Sequence, residues 1–289
     1  MVTCCITTIY RLEYSINLGF YWQNLKGDDY IGRRGVKVTT ANRLGEIRNN
    51  NSGTPMKIIA YRTADDIDVE FLDDHHYIKE HNNYHNFKVG GIKNPYDKDL
   101  YGVGYIGVGN YMAFDNGKMS AQYRAWSGML ERCYSYPKKY PAYVPCAVCD
   151  EWHDYQVCAE WFDENKYTAN ERLHIDKDIL FPNCNLYSPQ TCLLVPQRIN
   201  MLFMNKPNDR GLPNGIHFTN SGRYSAKYGG KDIGTYDTLE EAYANYAKVK
   251  EKKIKEVADE YKGIIPNKVY EALYDYKVDI RNDKNYKAA

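Results

Sequence analysis

The sequence predicts an α+β protein in which a small N-terminal β module and a C-terminal three-stranded sheet with a helix flank a central core. Alternating apolar residues at 56–61 and 67–71 predict two strands joined by a polar turn. Apolar residues at i, i+3, i+4 and i+7 predict an amphipathic helix over 121–134. Three further short strands and a long helix are predicted after residue 212. Strands and helices thus occur in separate runs along the chain, which is typical of the α+β class.

Length and charge restrict the possible functions. The 289 residues suffice for two or three domains. The net charge is +1, so any contact with nucleic acid must come from local basic patches. No apolar run approaches the roughly 20 residues needed to span a bilayer, and the first 22 residues lack the basic region and cleavage site of a secretory signal. Eight scattered cysteines do not resemble a secreted disulfide scaffold, so we expect a cytoplasmic protein without a membrane partner.

The first 97 residues divide into a leader of uncertain structure (1–25) and the β module (26–97). His81 and His85 are four residues apart, a spacing that can chelate a metal on a helix. No cysteine or second chelating pair accompanies them, which favours exposed polar histidines. The segment 101–109 repeats glycine but lacks the Lys-Ser/Thr of a P-loop, so we expect a Gly-rich strand or hairpin that joins two domains.

The central region, 98–204, begins with the helix at 121–134 and continues with a second predicted helix at 155–164. Cys146 and Cys149 between them form a C-x-x-C pair. A second such pair would strongly indicate zinc, but Cys158, Cys184 and Cys192 lack paired spacing. A structural Zn²⁺ at Cys146 and Cys149 and two small buried thiols are the alternatives.

The most informative stretch is 173–200. His174, Asp176 and Asp178 lie on a short apolar run, a polar loop follows, and a second apolar run leads into a helix that carries Asn200. This order can bring an imidazole, two carboxylates and an amide to one divalent cation. Hard cations such as Mg²⁺ take oxygen ligands, and a neutral histidine beside them can deprotonate water.

Five pieces in order resemble a phage-borne branch of the HNH endonucleases: 126–133, 148–152, 175–178, 187–192 and Asn200. The resemblance implies a ββα-metal fold and metal-dependent cleavage of DNA by phosphodiester hydrolysis. Asp176 and Asn200 would hold Mg²⁺ or Mn²⁺, Asp178 would assist as the second acid, and His174 would be the general base.

Two positions depart from the ordinary HNH pattern. Thr191 stands where an asparagine orients the base, and Phe203 and Met204 occupy the region of the final histidine. The alternative is therefore that four residues only tie a β-hairpin to a helix: Asp176, Asp178, Tyr187 and Asn200. Carboxylates often accept hydrogen bonds from turn N–H groups.

The last predicted domain, 205–289, consists of strands at 215–219, 223–228 and 231–236, a helix that starts after Thr238, and a helical tail whose final residues we expect to fray. It is similar to the ethylene-response-factor type of DNA-binding domain, whose sheet enters the major groove. That resemblance implies contacts to double-stranded DNA from Arg223, Lys227, Lys231 and Tyr236.

The sequence thus predicts a phage-type, homing-like HNH nuclease that nicks or cuts duplex DNA in the bacterial host cytoplasm. Two other functions stay open. One is a catalytically inactive, sequence-specific DNA-binding or regulatory protein, and the other is a zinc-stabilised protein-interaction factor.

Overall fold

The computed structural model describes residues 43–135 and 140–287. The chain combines helix and sheet, with 32% of residues helical and 24% in strands, in agreement with the predicted α+β class. The predicted leader, 1–25, and the first part of the predicted β module, 26–42, lie outside the described residues. No helix in the described ranges is both long enough and apolar enough to cross a membrane.

The N-terminal module is an antiparallel sheet in the order β1-β2-β3-β4, followed by one short helix. Its elements are β1 (Ile47–Asn49), β2 (Pro55–Thr63), β3 (Asp66–Phe71), β4 (Ile78–Asn82) and α1 (Tyr84–Lys88). The two predicted strands are confirmed as β2 and β3. Period-two alternation buries Ile58, Ile67 and Val69 completely, and they pack with Phe87 of α1 in one hydrophobic cluster.

The Gly-rich segment after this sheet is not the strand or hairpin that its composition predicts. Within 101–109 there are only isolated bridges, Leu100 with Gly104 and Tyr105 with Asp154. Gly104 is needed because an added Cβ would collide with the side chains of Leu130 and Trp126. Close packing against a helix, rather than a sheet ladder, therefore explains the glycine there.

Two helices form the centre of the chain. The elements are a hairpin of β5 (Phe114–Asp115) and β6 (Lys118–Met119), then α2 (Ala121–Tyr134), β7 (Ala147–Val148) and α3 (Tyr155–Asn165). Both predicted helices are confirmed. Trp126 of α2 is fully buried, and its indole Nε1 donates a 2.7 Å hydrogen bond to the carbonyl of Trp152, which ties α2 to the turn before α3.

An antiparallel hairpin followed by a helix comes next. Its elements are β8 (Leu173–Asp176), β9 (Leu186–Tyr187), β10 (Leu193–Pro196) and α4 (Gln197–Leu202). β8 pairs with β10, and β9 pairs in parallel with β7. The hairpin is buried on both faces because Ile175 and Leu194 join the core with α2 and α3, whereas Leu193 and Val195 join a second core on the opposite face.

The C-terminal strands and helices agree with the prediction. They are β11 (Ile216–Phe218), β12 (Tyr224–Tyr228), β13 (Lys231–Tyr236), α5 (Leu239–Glu260) and α6 (Asn267–Asp275). Thr238 caps α5, since its side chain accepts a 3.2 Å hydrogen bond from the N–H of Glu241. The first half of α5 covers the sheet, with Ala242 and Tyr246 in the same cluster as Ile216 and Ala226.

The second half of α5 packs elsewhere. Ile254 and Val257 are buried in the core that also contains Val195 of β10 and Ile199 of α4. The expected fraying concerned the final residues, of which 288 and 289 lie outside the described residues. Asp283 is buried and accepts a 2.9 Å hydrogen bond from the N–H of Asn214, so the described end of the chain folds back onto the segment before β11.

Candidate functional site

The hairpin places two of the predicted site residues on one face. His174 and Asp176 are two residues apart on β8, opposite Val195 and Leu193 of β10. Alternate residues of a strand point to the same side, so this imidazole and carboxylate share the side of the hairpin opposite Ile175. Ile175 between them is apolar and fixes the orientation by burial in the opposite core.

One cavity of about 260 Å³ is lined by all four predicted catalytic residues: His174, Asp176, Asp178 and Asn200. Its other walls come from α2, from the loop at 142–143, and from the C-terminal region. The lining residues from these walls that bear most on its chemistry are Arg132, Tyr143, Lys250, Tyr276, Asp283 and Lys284. The cavity therefore combines the hairpin with residues more than 70 positions away in sequence from Asn200.

Asp176 has a structural role as well as a place in the cavity. Its Oδ1 accepts hydrogen bonds of 2.9 Å from the N–H groups of Asp178 and Ile179, which closes the turn after β8. Its Oδ2 makes no hydrogen bond within the described ranges. Burial, with the nearby Asp178 carboxylate second, raises the pKa of Asp176 to about 7. A cation would relieve both effects, because it stabilises the ionised form.

Asp178 already has a cationic partner. The ammonium of Lys177, only 3% exposed, lies 2.7 Å from Asp178 Oδ1. A buried lysine needs such a partner, since an uncompensated charge would be costly away from water. Lys177 thus provides part of the positive charge that a bound metal would otherwise supply.

His174 has the character of a neutral base. Its Nε2 is buried and has no hydrogen-bond partner in the described part of the chain. Burial first, and the charges of Arg172 and Arg132 after it, lower the pKa of His174 below its usual value. A neutral imidazole with an unsatisfied ring nitrogen can accept a proton from water.

Asn200 lies on α4 and its side-chain amide has no hydrogen bond to another described residue. Together with Asp176 Oδ2 it offers two oxygen donors to the cavity, which is the chemistry that Mg²⁺ and Mn²⁺ prefer. The donor types present suit a hard cation, but His174, Asp176 and Asp178 do not form a group of three ligand atoms within 4.8 Å of one another among the described residues.

The two departures from the HNH pattern have structural roles. Thr191 Oγ1 donates to the carbonyl of Leu186 at 2.8 Å and accepts from the N–H of Ser188, so it closes the loop between β9 and β10. Phe203 is 7% exposed and meets the ring of Tyr276 edge to face, with 4.7 Å between centroids. At the two positions where the predicted resemblance would place polar groups, the chain has a threonine tied to the backbone and a core phenylalanine.

A second group of potential metal ligands lies in the N-terminal module. Asp66, Asp68 and His81 are the only His, Cys, Asp or Glu cluster at ligand spacing within 43–135 and 140–287. Arg62 bridges both carboxylates, at 2.7 Å from Asp66 and 2.5 Å from Asp68, so an ion-pair network already neutralises part of the cluster's negative charge. His81 is in β4 and His85 in α1, so the two histidines do not share a helical face.

Cys146 and Cys149 are not part of a zinc site formed by the described residues. Neither belongs to a ligand cluster with a third His, Cys, Asp or Glu, and both thiols are free. Burial raises the pKa of both metal-free thiols, to about 11 for Cys149. The lack of a third ligand in the part of the chain that the structure describes favours two small thiols over Zn²⁺.

The predicted DNA-contacting residues divide between the two faces of the C-terminal sheet. Arg223 and Lys227 alternate with core residues of β12 and are exposed; they pair with Asp237 at 2.6 Å and Asp232 at 3.1 Å. Lys231 is exposed and has no ion pair among described residues. Tyr236 is on the other face, where it packs against α5 with the sheet core. The outward face thus carries Arg223 and Lys227, whereas Lys231 is paired with Tyr228 and lies at the end of the hairpin on the α5 side.

Sequence reasoning did not find Arg132, Lys250, Tyr276 or Lys284 as cavity residues. Arg132 lies within 126–133, one of the five pieces that resemble HNH endonucleases, but its position on a helix does not by itself indicate a cavity. The other three residues reach the cavity only through long-range packing. None of the protein-family models, curated proteins or solved structures compared with the chain matches it.

Proposed function

We propose that the protein is a metal-dependent DNA endonuclease of the HNH-like type. The observation that supports this most is the single cavity lined by His174, Asp176, Asp178 and Asn200, on an antiparallel hairpin followed by a helix. These are the four residues at which the resemblance to phage-borne nucleases assigns chemistry. A nuclease of this type would act on DNA inside a bacterial host.

Each residue has a role that its surroundings allow. Asp176 Oδ2 and the Asn200 amide oxygen would hold Mg²⁺ or Mn²⁺, which stabilises negative charge on the phosphate and the leaving oxygen. His174 Nε2, buried and without a partner, would take the proton from the attacking water. Asp178, held by Lys177, would keep the turn in place and add negative charge near the cation.

Duplex DNA would bind through the outward face of the C-terminal sheet. Arg223 and Lys227 are exposed there, and Lys231 is exposed at the adjoining end of the β12–β13 hairpin. Such cations contact phosphates and base edges. The pairing of Arg223 and Lys227 with Asp237 and Asp232 leaves a modest net charge, so we expect a binding constant that falls with salt but not steeply.

A supercoiled-plasmid nicking assay with Mg²⁺, Mn²⁺, Ca²⁺ or EDTA tests the proposal. We expect cleavage by the native protein in Mg²⁺ or Mn²⁺, and loss of at least about a hundredfold in Asp176→Ala, because removing essential groups costs that order of rate. Asp209→Ala, which removes an exposed loop carboxylate, is the matched control and should cleave normally. Cleavage by Asp176→Ala at the native rate would refute the site.

A catalytically inactive DNA-binding protein is the second candidate. The Lys177–Asp178 ion pair and the core position of Phe203 favour it, because both replace groups that an active centre would use. It predicts salt-sensitive binding of duplex DNA with no nicking in any of the metals.

A further inference from the structure

Arg132 occupies an unusual position on the cavity wall. Its guanidinium carbon lies 5.5 Å from the ring centroid of Tyr143 and 6.0 Å from that of Tyr187. Its Nε is buried and has no hydrogen-bond partner in the described residues. None of the salt bridges within 43–135 and 140–287 involves Arg132, so its charge has aromatic neighbours but no carboxylate.

Two more cations lie against the same rings. The Lys177 ammonium is 5.6 Å from the Tyr187 centroid, and the Lys284 ammonium is 5.8 Å from the Tyr143 centroid. Asp178 neutralises Lys177. Lys284 donates to the carbonyl of Ala142 at 2.9 Å, which satisfies a donor but not the charge. At this end of the cavity, therefore, two positive charges have no acidic partner among the described residues.

Such an arrangement favours a bound anion. Leaving a partly buried cation without a counter-charge is costly, and tyrosine rings recover only part of that cost. A guanidinium has a planar array of donors that matches two oxygens of a phosphate, and such charge-assisted hydrogen bonds are about twice as strong as neutral ones. Asp176 and Asn200 line the same cavity, so an anion here would lie close to the candidate metal ligands.

We propose that Arg132, with Lys284 beside it, forms a phosphate-binding subsite in this cavity and receives a phosphate of the nucleic-acid backbone. This assignment rests on the proposed nuclease function for its substrate, but the anion site itself does not require cleavage. In this proposal, Arg132 of α2 is a substrate-binding residue. The C-terminal segment contributes Lys284 to the same subsite.

Calorimetric titration of the full-length protein with thymidine 3′,5′-bisphosphate in EDTA tests the subsite without metal or turnover. We expect saturable binding, weakened about tenfold or more in Arg132→Met, since a charge-assisted contact is worth about 1.5 kcal/mol or more. Arg132→Lys should bind with intermediate affinity, because it retains the charge but not the planar donors. Arg124→Met, which removes an exposed arginine of the same helix outside the cavity, is the control and should bind as the native protein does.

The outcomes separate this proposal from the nuclease assignment. Equal affinity in native protein and folded Arg132→Met would overturn the subsite, even if the native protein nicks DNA. Loss of affinity in that variant, together with no nicking by the native protein, would retain the subsite and reject the nuclease. If Arg132→Met loses its native circular dichroism, Lys284→Met at the exposed end of the subsite decides: a several-fold loss supports the proposal, and no change contradicts it.

Discussion

Single residues decide how far the hairpin can be compared with an active nuclease. Asp176 faces two demands, because Oδ1 closes a turn while Oδ2 remains available to the cavity. His174 differs in that its buried Nε2 has no structural bond to lose. Substitution of Asp176 is therefore expected to affect both folding and chemistry, whereas substitution of His174 should affect chemistry with little loss of stability.

Phe203 is a core residue in the region where the proposed HNH resemblance would place a histidine. Phe203→Ala should reduce the free energy of unfolding by about 3 kcal/mol, because it leaves a cavity beside Tyr276 in a buried cluster. Urea denaturation followed by circular dichroism measures this. Met204→Ala, at an exposed neighbouring position, is the control and should change stability by less than about 0.5 kcal/mol. A loss below that value in Phe203→Ala would show that the ring does not stabilise the core.

The cysteines give a prediction that depends on pH. Burial raises the pKa of Cys149 to about 11, so its reactive thiolate is scarce at pH 8 and increases about tenfold per pH unit until the pKa is passed. Iodoacetamide labelling followed by peptide mass spectrometry should show a rate at pH 8 on the order of a hundredfold below that of glutathione. A rapid, pH-independent reaction would contradict a protonated thiol, and protection that EDTA removes would indicate bound metal instead.

At the scale of elements, local patterns predicted most of the helices and strands. The helix at 121–134, the two central strands of the N-terminal sheet and the Thr238 cap follow from apolar spacing and end signals within a few residues. The Gly-rich segment was predicted wrongly because glycine signals a strand bend, a turn and a close approach equally well. Arg132 was missed because a cavity depends on which elements meet, and no local period records that.

Gly215 shows how a loop residue controls an element. It has φ +83°, and an added Cβ would collide with the ring of Tyr246 on α5. Gly215→Ala should destabilise the protein by clearly more than Gly222→Ala, whose φ is +77° but whose Cβ would have open space. The second substitution isolates the backbone strain of about 1–2 kcal/mol. Thermal unfolding of both variants checks the difference, and equal losses would mean that Tyr246 moves aside at no cost.

At the scale of the whole described chain, helix α5 belongs to two cores. Its first half packs on the C-terminal sheet, and its second half packs with β10 and α4 of the hairpin. The predicted domain boundary at residue 204 therefore separates residues that share one hydrophobic cluster. Sequence signals can delimit a sheet and a helix, but they do not tell which second surface a long helix covers.

A fragment of residues 205–289 tests this sharing. We expect it to be poorly soluble or only partly folded, because removal of the hairpin exposes Ile254, Val257 and Leu273, which are buried in the full chain. Sedimentation and thermal unfolding monitored by circular dichroism provide the measurement. A monomeric fragment with a cooperative transition at the temperature of the full-length protein would show that the C-terminal region is independent.

The 22 residues of α5 make a rod of about 33 Å. The side chains that cover the sheet project from its first half, and Lys250 on the cavity wall lies just past its midpoint. Ala242 against the sheet and Lys250 on the cavity wall are separated by eight positions, or about 12 Å along the axis. A rigid helix of that length fixes the distance between the sheet and the cavity. If the sheet grips a duplex and the cavity cuts it, the break must fall at a constant offset from the gripped bases, and every product molecule would share the same end.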